Sequence, residues 1–186
     1  MSMLCNFPQG LFEVLNKFYK ISQNRYFWLT GAAYLLLMEA IALFWQYALE
    51  TYPCALCVQI RAWVYGALFF AVIGSFVSRN FWWRWVGLTM TTAFLAGALY
   101  TSWYSWGVEN GMIISSCTMG AGFPEFMPLD EWIPLLFRAD GFCGQSPDMW
   151  FGLSMNETLL VTLSIPTLAL VVLWLLQIPK AFTGQQ

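Results

Sequence analysis

The residues best equipped for chemistry are Pro53-Cys54-Ala55-Leu56-Cys57, with Arg61 one helical turn further on. A Cys-x-x-Cys pair serves as half of a zinc site, as a haem attachment or as a dithiol redox centre, and its company decides which. The chain contains no histidine, which removes Cys/His zinc sets, a haem axial histidine and a Cys–His catalytic pair. The remaining cysteines, at positions 5, 117 and 143, do not repeat the short spacing. A mixed four-cysteine zinc site is therefore the weaker alternative, and no metal is expected. Cys117 and Cys143 suggest instead a second disulfide, and two dithiols side by side pass electrons by thiol–disulfide exchange. At a helix start the unpaired N–H groups of the first turn favour a thiolate, and the Arg61 guanidinium adds a fixed positive charge. The competing reading is an inert clip, with Arg61 reaching to the membrane surface toward a loop carboxylate. A ring this small closes little chain entropy, so a purely stabilising role is poorly motivated.

Hydrophobic residues make up 59% of the 186 and charged residues only 10%, too apolar for an ordinary soluble domain. The net charge is −2 with no basic cluster, so neither nucleic acid nor an anionic lipid surface is indicated as a partner. Four apolar runs, near Phe27–Ala48, Cys57–Val77, Trp85–Trp106 and Thr158–Ile178, each approach the ~20 residues that cross a hydrocarbon core as a helix. The expected fold is an all-α integral membrane protein: one domain over residues 1–186, a four-helix transmembrane bundle with a long loop, 107–157, between helices three and four. The first run follows Lys17, Lys20 and Arg25 and resembles a signal anchor. Its length and the lack of a small-residue cleavage site predict that it is retained.

Orientation follows from the basic residues, which resist translocation. Lys17, Lys20 and Arg25 precede the first run, Arg79 and Arg84 lie between the second and third, and Lys180 follows the fourth. The long loop has Arg138 as its only basic residue against the acids Glu109, Glu125, Asp130, Glu131, Asp140, Asp148 and Glu157. Both termini are thus expected in the cytoplasm. Cys54, Cys57, Cys117 and Cys143 fall on the outer, oxidising side, and Cys5 stays inside as a spectator thiol.

Within the loop, Phe123-Pro-Glu-Phe-Met-Pro-Leu-Asp-Glu-Trp-Ile-Pro-Leu-Leu-Phe137 sets bulky apolar residues among prolines and acids. It is expected either to lie in the membrane interface or to fold over the helix ends. Pro166 inside the fourth run is a candidate kink. Asn156-Glu157-Thr158 reads as a glycosylation sequon or, preferably, as a helix N-cap with an acid in the first turn. Electrons collected by two dithiols must leave, and the sequence carries no haem, iron–sulfur or flavin signature. A lipid-soluble quinone fits that gap, held by an apolar slot with polar contacts from Arg61 and Gln46.

These residues resemble the disulfide bond formation protein B (DsbB) family of inner-membrane quinone reductases. The resemblance runs from about Glu39 to Met155 and rests on Glu39-Ala-Ile-Ala-Leu-Phe-Trp-Gln46, Pro53-Cys-Ala-Leu-Cys57, Arg61, Cys117, the 123–137 segment, Asp140-Gly-Phe-Cys143 and Trp150-Phe-Gly-Leu-Ser-Met155. It implies that Cys54 and Cys57 reduce ubiquinone or menaquinone, and that Cys117 and Cys143 meet a periplasmic thioredoxin-fold oxidase, DsbA- or DsbL-like, at Cys117. It also implies that Arg61 holds the quinone in a bacterial inner membrane. One departure stands out: well-studied members carry a histidine near the end of the third span, where this chain reads Tyr100-Thr-Ser-Trp-Tyr-Ser-Trp-Gly-Val-Glu-Asn-Gly111. Tyr104 or Glu109 are candidate substitutes, Tyr104 being as readily an interface anchor. Glu39 reads as a buried structural acid before it reads as a proton relay. Two rivals stay open: a thiol reductase conducting electrons outward, for which only Cys5 is placed inside, and a non-enzymatic four-span protein stiffened by its disulfides.

Overall fold

The computed structural model describes residues 20–114, 120–141 and 152–183, with residues 176 and 178–183 by their backbone alone. Cys5, Lys17, Cys117, Cys143 and Asp148 lie outside the described residues. The elements are α1 (Arg25–Ala48), α2 (Ala55–Val77), α3 (Phe81–Glu109), the one-turn helices α4 (Leu129–Trp132) and α5 (Pro134–Phe137), and α6 (Met155–Thr183). Every long helix extends two to five residues beyond its apolar run at one or both ends, because caps and polar turns carry the backbone past the hydrophobic stretch. No strand is present among the described residues. Three helices are long and apolar enough to cross a membrane: α1, α2 and Met155–Leu175 of α6. α3 has the length, 29 residues, but its Trp, Tyr, Ser and Thr content leaves it outside that set. It packs against both α2 and α6, so much of its surface meets protein rather than lipid and need not be apolar.

The α2–α3 contact is built by two aromatic rings seated on two glycines. Phe94 of α3 lies over Gly66 of α2, where an added Cβ would meet the ring at 2.2 Å, and Trp63 of α2 lies over Gly97 of α3, where a Cβ would meet the indole at 2.9 Å. The two rings meet edge to face, centroids 5.6 Å apart. In lipid, where burying apolar surface gives no advantage over the acyl chains, such close backbone approach supplies the packing energy. Beneath it, Leu35, Ile60, Val64, Ala67, Leu95, Ala98 and Leu163 form a core to which all four long helices contribute.

Pro166 removes the amide that would bond the carbonyl four residues back, Thr162, and the Tyr34 hydroxyl of α1 donates to that carbonyl at 2.9 Å. The break in one helix thus becomes a cross-link to another. Tyr34→Phe is expected to destabilise the fold by about 0.5–1.5 kcal/mol. In a Pro166→Ala background, whose new amide satisfies Thr162, the same change should cost nothing; equal losses in both backgrounds, measured by reversible unfolding in mixed micelles, would remove the proline from the explanation.

At the end of the bundle away from the cysteines, Trp28 Nε1 donates to the Ser22 carbonyl at 3.0 Å and Gln177 Nε2 to the Ser22 hydroxyl at 3.1 Å. Arg84, read from sequence as a loop charge, is instead 1% exposed within the first turn of α3 and donates to the Ser78 carbonyl at 3.1 Å. The sequence also placed the cap of the last helix at Asn156. Ser154 caps it: its hydroxyl accepts from the Glu157 amide at 3.3 Å while the Glu157 carboxylate accepts from the Ser154 amide at 3.1 Å, the reciprocal bonds of a capping box. Asn156 is buried and bridges α6 to α3, accepting from Ser105 and donating to Glu109, both at 3.1 Å.

Candidate redox site

Cys54 is the N-cap of α2, and its sulfur accepts from the Cys57 amide at 3.4 Å. Three residues on, one turn of helix brings the Cys57 sulfur to 3.1 Å from that of Cys54, beyond the ~2.05 Å of a disulfide and within reach of a thiol–thiolate hydrogen bond. The spacing therefore makes the two thiols unequal. The Cys57 thiol donating to Cys54 holds the Cys54 thiol down, at about 7; burial opposes this, and the first-turn amides of Cys57 and Leu56 add to it. Near neutral pH the negative charge of the pair therefore favours the Cys54 sulfur. In the reduced protein, alkylation of Cys54 should rise with pH and reach half its maximal rate near pH 7, the thiolate being lost below that value. Cys57→Ala, which removes the donor, should move the midpoint up. A midpoint unmoved by that change would assign the effect to the helix start alone.

Arg61 follows Cys57 by one turn and is 4% exposed. Its Nε lies 3.4 Å from Glu39 Oε2 on α1, an ion pair buried on both sides, and its Nη1 donates to Gln46 Oε1 at 2.8 Å and to the Leu136 carbonyl at 2.7 Å. Glu39, Gln46 and Tyr47 recur at seven- and eight-residue spacing and so share one face of α1. The guanidinium does not reach for the membrane surface or for a loop carboxylate; the one loop cation, Arg138, is occupied on the exterior by Asp140 at 2.7 Å.

The segment between residues 120 and 141 is folded over the start of α2. Val58, Ala121 and Phe137 form a small core there. Arg61 and the Tyr47 hydroxyl hold the Leu136 and Leu135 carbonyls, which the end of α5 leaves without helical donors. Gln59 Nε2 donates to the Ala121 carbonyl at 3.0 Å, and the Gly141 amide donates to the Pro53 carbonyl at 3.0 Å. Phe126, Trp132 and Leu135 point outward and are 81%, 63% and 65% exposed. The segment is thus folded over the helix ends, as the second expectation had it, and its outer face is apolar.

A cavity of 20 Å³ lies among Trp45, Gln46, Cys54, Cys57, Arg61 and Met155, room for about one water. The donor set suits a ligand that only accepts hydrogen bonds. Gln46 uses its oxygen on Arg61, leaving its NH₂ group, like Arg61 Nη2, with no acceptor among the described residues. A quinone offers two carbonyl oxygens to such donors, and its ring requires the cavity to widen. Of the residues expected from sequence, Cys54, Cys57, Arg61 and Gln46 come together here, while Cys117 and Cys143 lie outside the described residues. Glu109 does not line this cavity; its carboxylate accepts from Ser154 and Asn156 at 3.1 Å each. Tyr47 and Gln59 carried no signal in sequence, since each binds a backbone carbonyl of a distant segment, and Gly141 was visible only as part of Asp140-Gly-Phe-Cys143, with nothing to mark its amide as a partner of Pro53.

An apolar helical bundle with paired cysteines at one helix start, backed by a buried arginine, has the parts of a membrane dithiol protein. The family model described as disulfide bond formation protein DsbB matches residues 24–175, and the chain belongs to that family. It is 33% identical over 172 residues to disulfide bond formation protein B of Actinobacillus pleuropneumoniae serotype 5b, covering 90% of this chain and 95% of the relative. It is 34% identical over 139 residues to disulfide bond formation protein B 2 of Pseudomonas aeruginosa, covering 71% and 79%. With disulfide bond formation protein B of Shewanella denitrificans the identity is 31% over 148 residues, covering 79% and 85%.

Proposed function

We propose that this protein takes electrons from a periplasmic thioredoxin-fold dithiol oxidase, DsbA- or DsbL-like, and delivers them to membrane ubiquinone or menaquinone, keeping that partner oxidised. The observation that carries the reading is the meeting of a polarised Cys54–Cys57 pair with two free donor groups, on Arg61 and Gln46, at one cavity. Arg61 and Gln46 would hold the quinone oxygens; the quinone supplies a two-electron, two-proton acceptor. Cys54, as thiolate, supplies the electron pair and then closes on Cys57, which releases its proton. Cys117 receives the attacking thiolate of the partner, and the Cys117–Cys143 disulfide is regenerated by exchange with Cys54–Cys57.

The topology that suits this chemistry has four spans, with α3 as the third, both termini in the cytoplasm and the loop 107–157 in the periplasm. The basic residues favour it, and the outward Phe126, Trp132 and Leu135 suit a loop lying against the membrane surface. The test is loss of quinone absorbance on mixing the detergent-solubilised protein with quinone and a reduced thioredoxin-fold protein. Loss that needs both the protein and the dithiol is expected; none, with either quinone class, would return the reductase and the purely structural readings.

A further inference from the structure

Gly141 stands two residues before Cys143 in sequence, and its amide is bonded to the carbonyl of Pro53, the residue before Cys54. The approach is of backbone to backbone: a Cβ on Gly141 would lie 2.3 Å from the Tyr52 oxygen and 3.0 Å from the Pro53 carbonyl carbon. Main-chain atoms cannot swing aside as a long side chain can. The second anchor is looser. Ala121, four residues after Cys117, is held by the Gln59 side chain. Two residues of chain extend at most about 7 Å and four about 14 Å, so the two cysteines leave their anchors on tethers of different length, and the shorter starts beside Cys54.

We propose that Gly141 is a positioning residue for exchange between the two cysteine pairs, a role that rests on the function proposed above. In that step a thiolate of the reduced Cys117/Cys143 pair attacks a sulfur of the Cys54–Cys57 disulfide; one S–S bond forms as another breaks, and one thiolate leaves. The second loop thiolate then closes the Cys117–Cys143 bond. Two electrons move to Cys54 and Cys57, and the two loop protons pass to the departing thiolates or to water. The rate depends on how often the attacking sulfur comes within bonding distance, which is a matter of effective concentration. The bond between Gly141 and Pro53 removes chain freedom at the point where it matters, two residues from the sulfur.

The test compares wild type with Gly141→Ala, and with Gly31→Ala, whose Cβ meets open space, as the folding control. Turnover with a reduced thioredoxin-fold protein requires exchange between the pairs. Quinone reduction by dithiothreitol in a Cys117→Ser/Cys143→Ser background does not, because the small dithiol reaches Cys54–Cys57 directly. Gly141→Ala is expected to lower kcat with the protein dithiol at least tenfold, to leave its KM within twofold, and to leave the dithiothreitol rate within twofold. Wild-type kcat in Gly141→Ala overturns the proposal, and so does a parallel fall in the dithiothreitol rate, which would make Gly141 a support of the fold. A wild-type protein inactive in both assays would instead overturn the proposed function itself.

Discussion

Cys54→Ser is expected to leave a protein that folds and does no redox chemistry: quinone reduction should fall by about a thousandfold or more with any thiol donor, since the proposed electron donor to quinone is removed. The reason lies in the double use of the position. Cys54 is also the N-cap of α2, with its sulfur on the Cys57 amide, and serine is among the best residues for that role. The helix start, and with it the docked 120–141 segment, is kept while the thiolate is lost. Cys57→Ser should differ in kind. It retains a donor toward Cys54, so Cys54 still attacks a disulfide, but no second thiol resolves the product and a mixed disulfide accumulates. Cys117→Ser, in turn, should lose the reaction with a protein dithiol while dithiothreitol still feeds Cys54–Cys57. The three patterns are read from quinone absorbance and from non-reducing electrophoresis after acid quench. Appreciable turnover by Cys54→Ser would sink the assignment of this pair to quinone.

The second large effect is expected at Arg61, and it has two separable parts. The guanidinium is tied to Glu39 at 3.4 Å, with both side chains buried. Removing it as Arg61→Met leaves a carboxyl group enclosed by helices without its counter-charge, a change that costs about 3–5 kcal/mol in buried pairs. It also frees the Gln46 oxygen and the Leu136 carbonyl, which should loosen α5 and add to the loss. Removing both charges, as Glu39→Leu with Arg61→Met, should recover much of the stability, because well-packed apolar residues replace a buried ion pair with little penalty. Quinone affinity should not follow. The apparent KM for quinone is expected to rise tenfold or more, one good charge-assisted hydrogen bond being worth about 1.5–3 kcal/mol, in the single and double variants alike. Unfolding and initial-rate measurements on the four proteins of the cycle separate the parts. A double variant that regains normal quinone KM would show that Arg61 acts only by holding Glu39.

Among the described residues, the sequence alone indicated the all-helical membrane architecture, the meeting of Cys54 and Cys57 on one helical turn and the need of Arg61 for a partner. Each of these is a local property: an apolar run long enough to cross a membrane, a three-residue spacing that puts two sulfurs on one turn, a charge whose solvation is lost wherever such a run goes. The partners of Arg61 were not legible, because Glu39 and Gln46 reach it from α1 and the Leu136 carbonyl from α5, two segments whose meeting with α2 depends on how the chain packs. For the same reason the sequence could not say which cysteine becomes the thiolate. Only the placement of Cys54 outside the first turn and Cys57 within it lets the Cys54 sulfur accept from the Cys57 amide and so favours the thiolate there. Pro166 was visible as a break, but its repair by Tyr34 was not, since the hydroxyl comes from a helix more than a hundred residues away. Gly141 lies at the far extreme: its part is played by a backbone amide and a missing Cβ against the backbone of residues 52 and 53, and an amide carries no side-chain signature for a sequence to display.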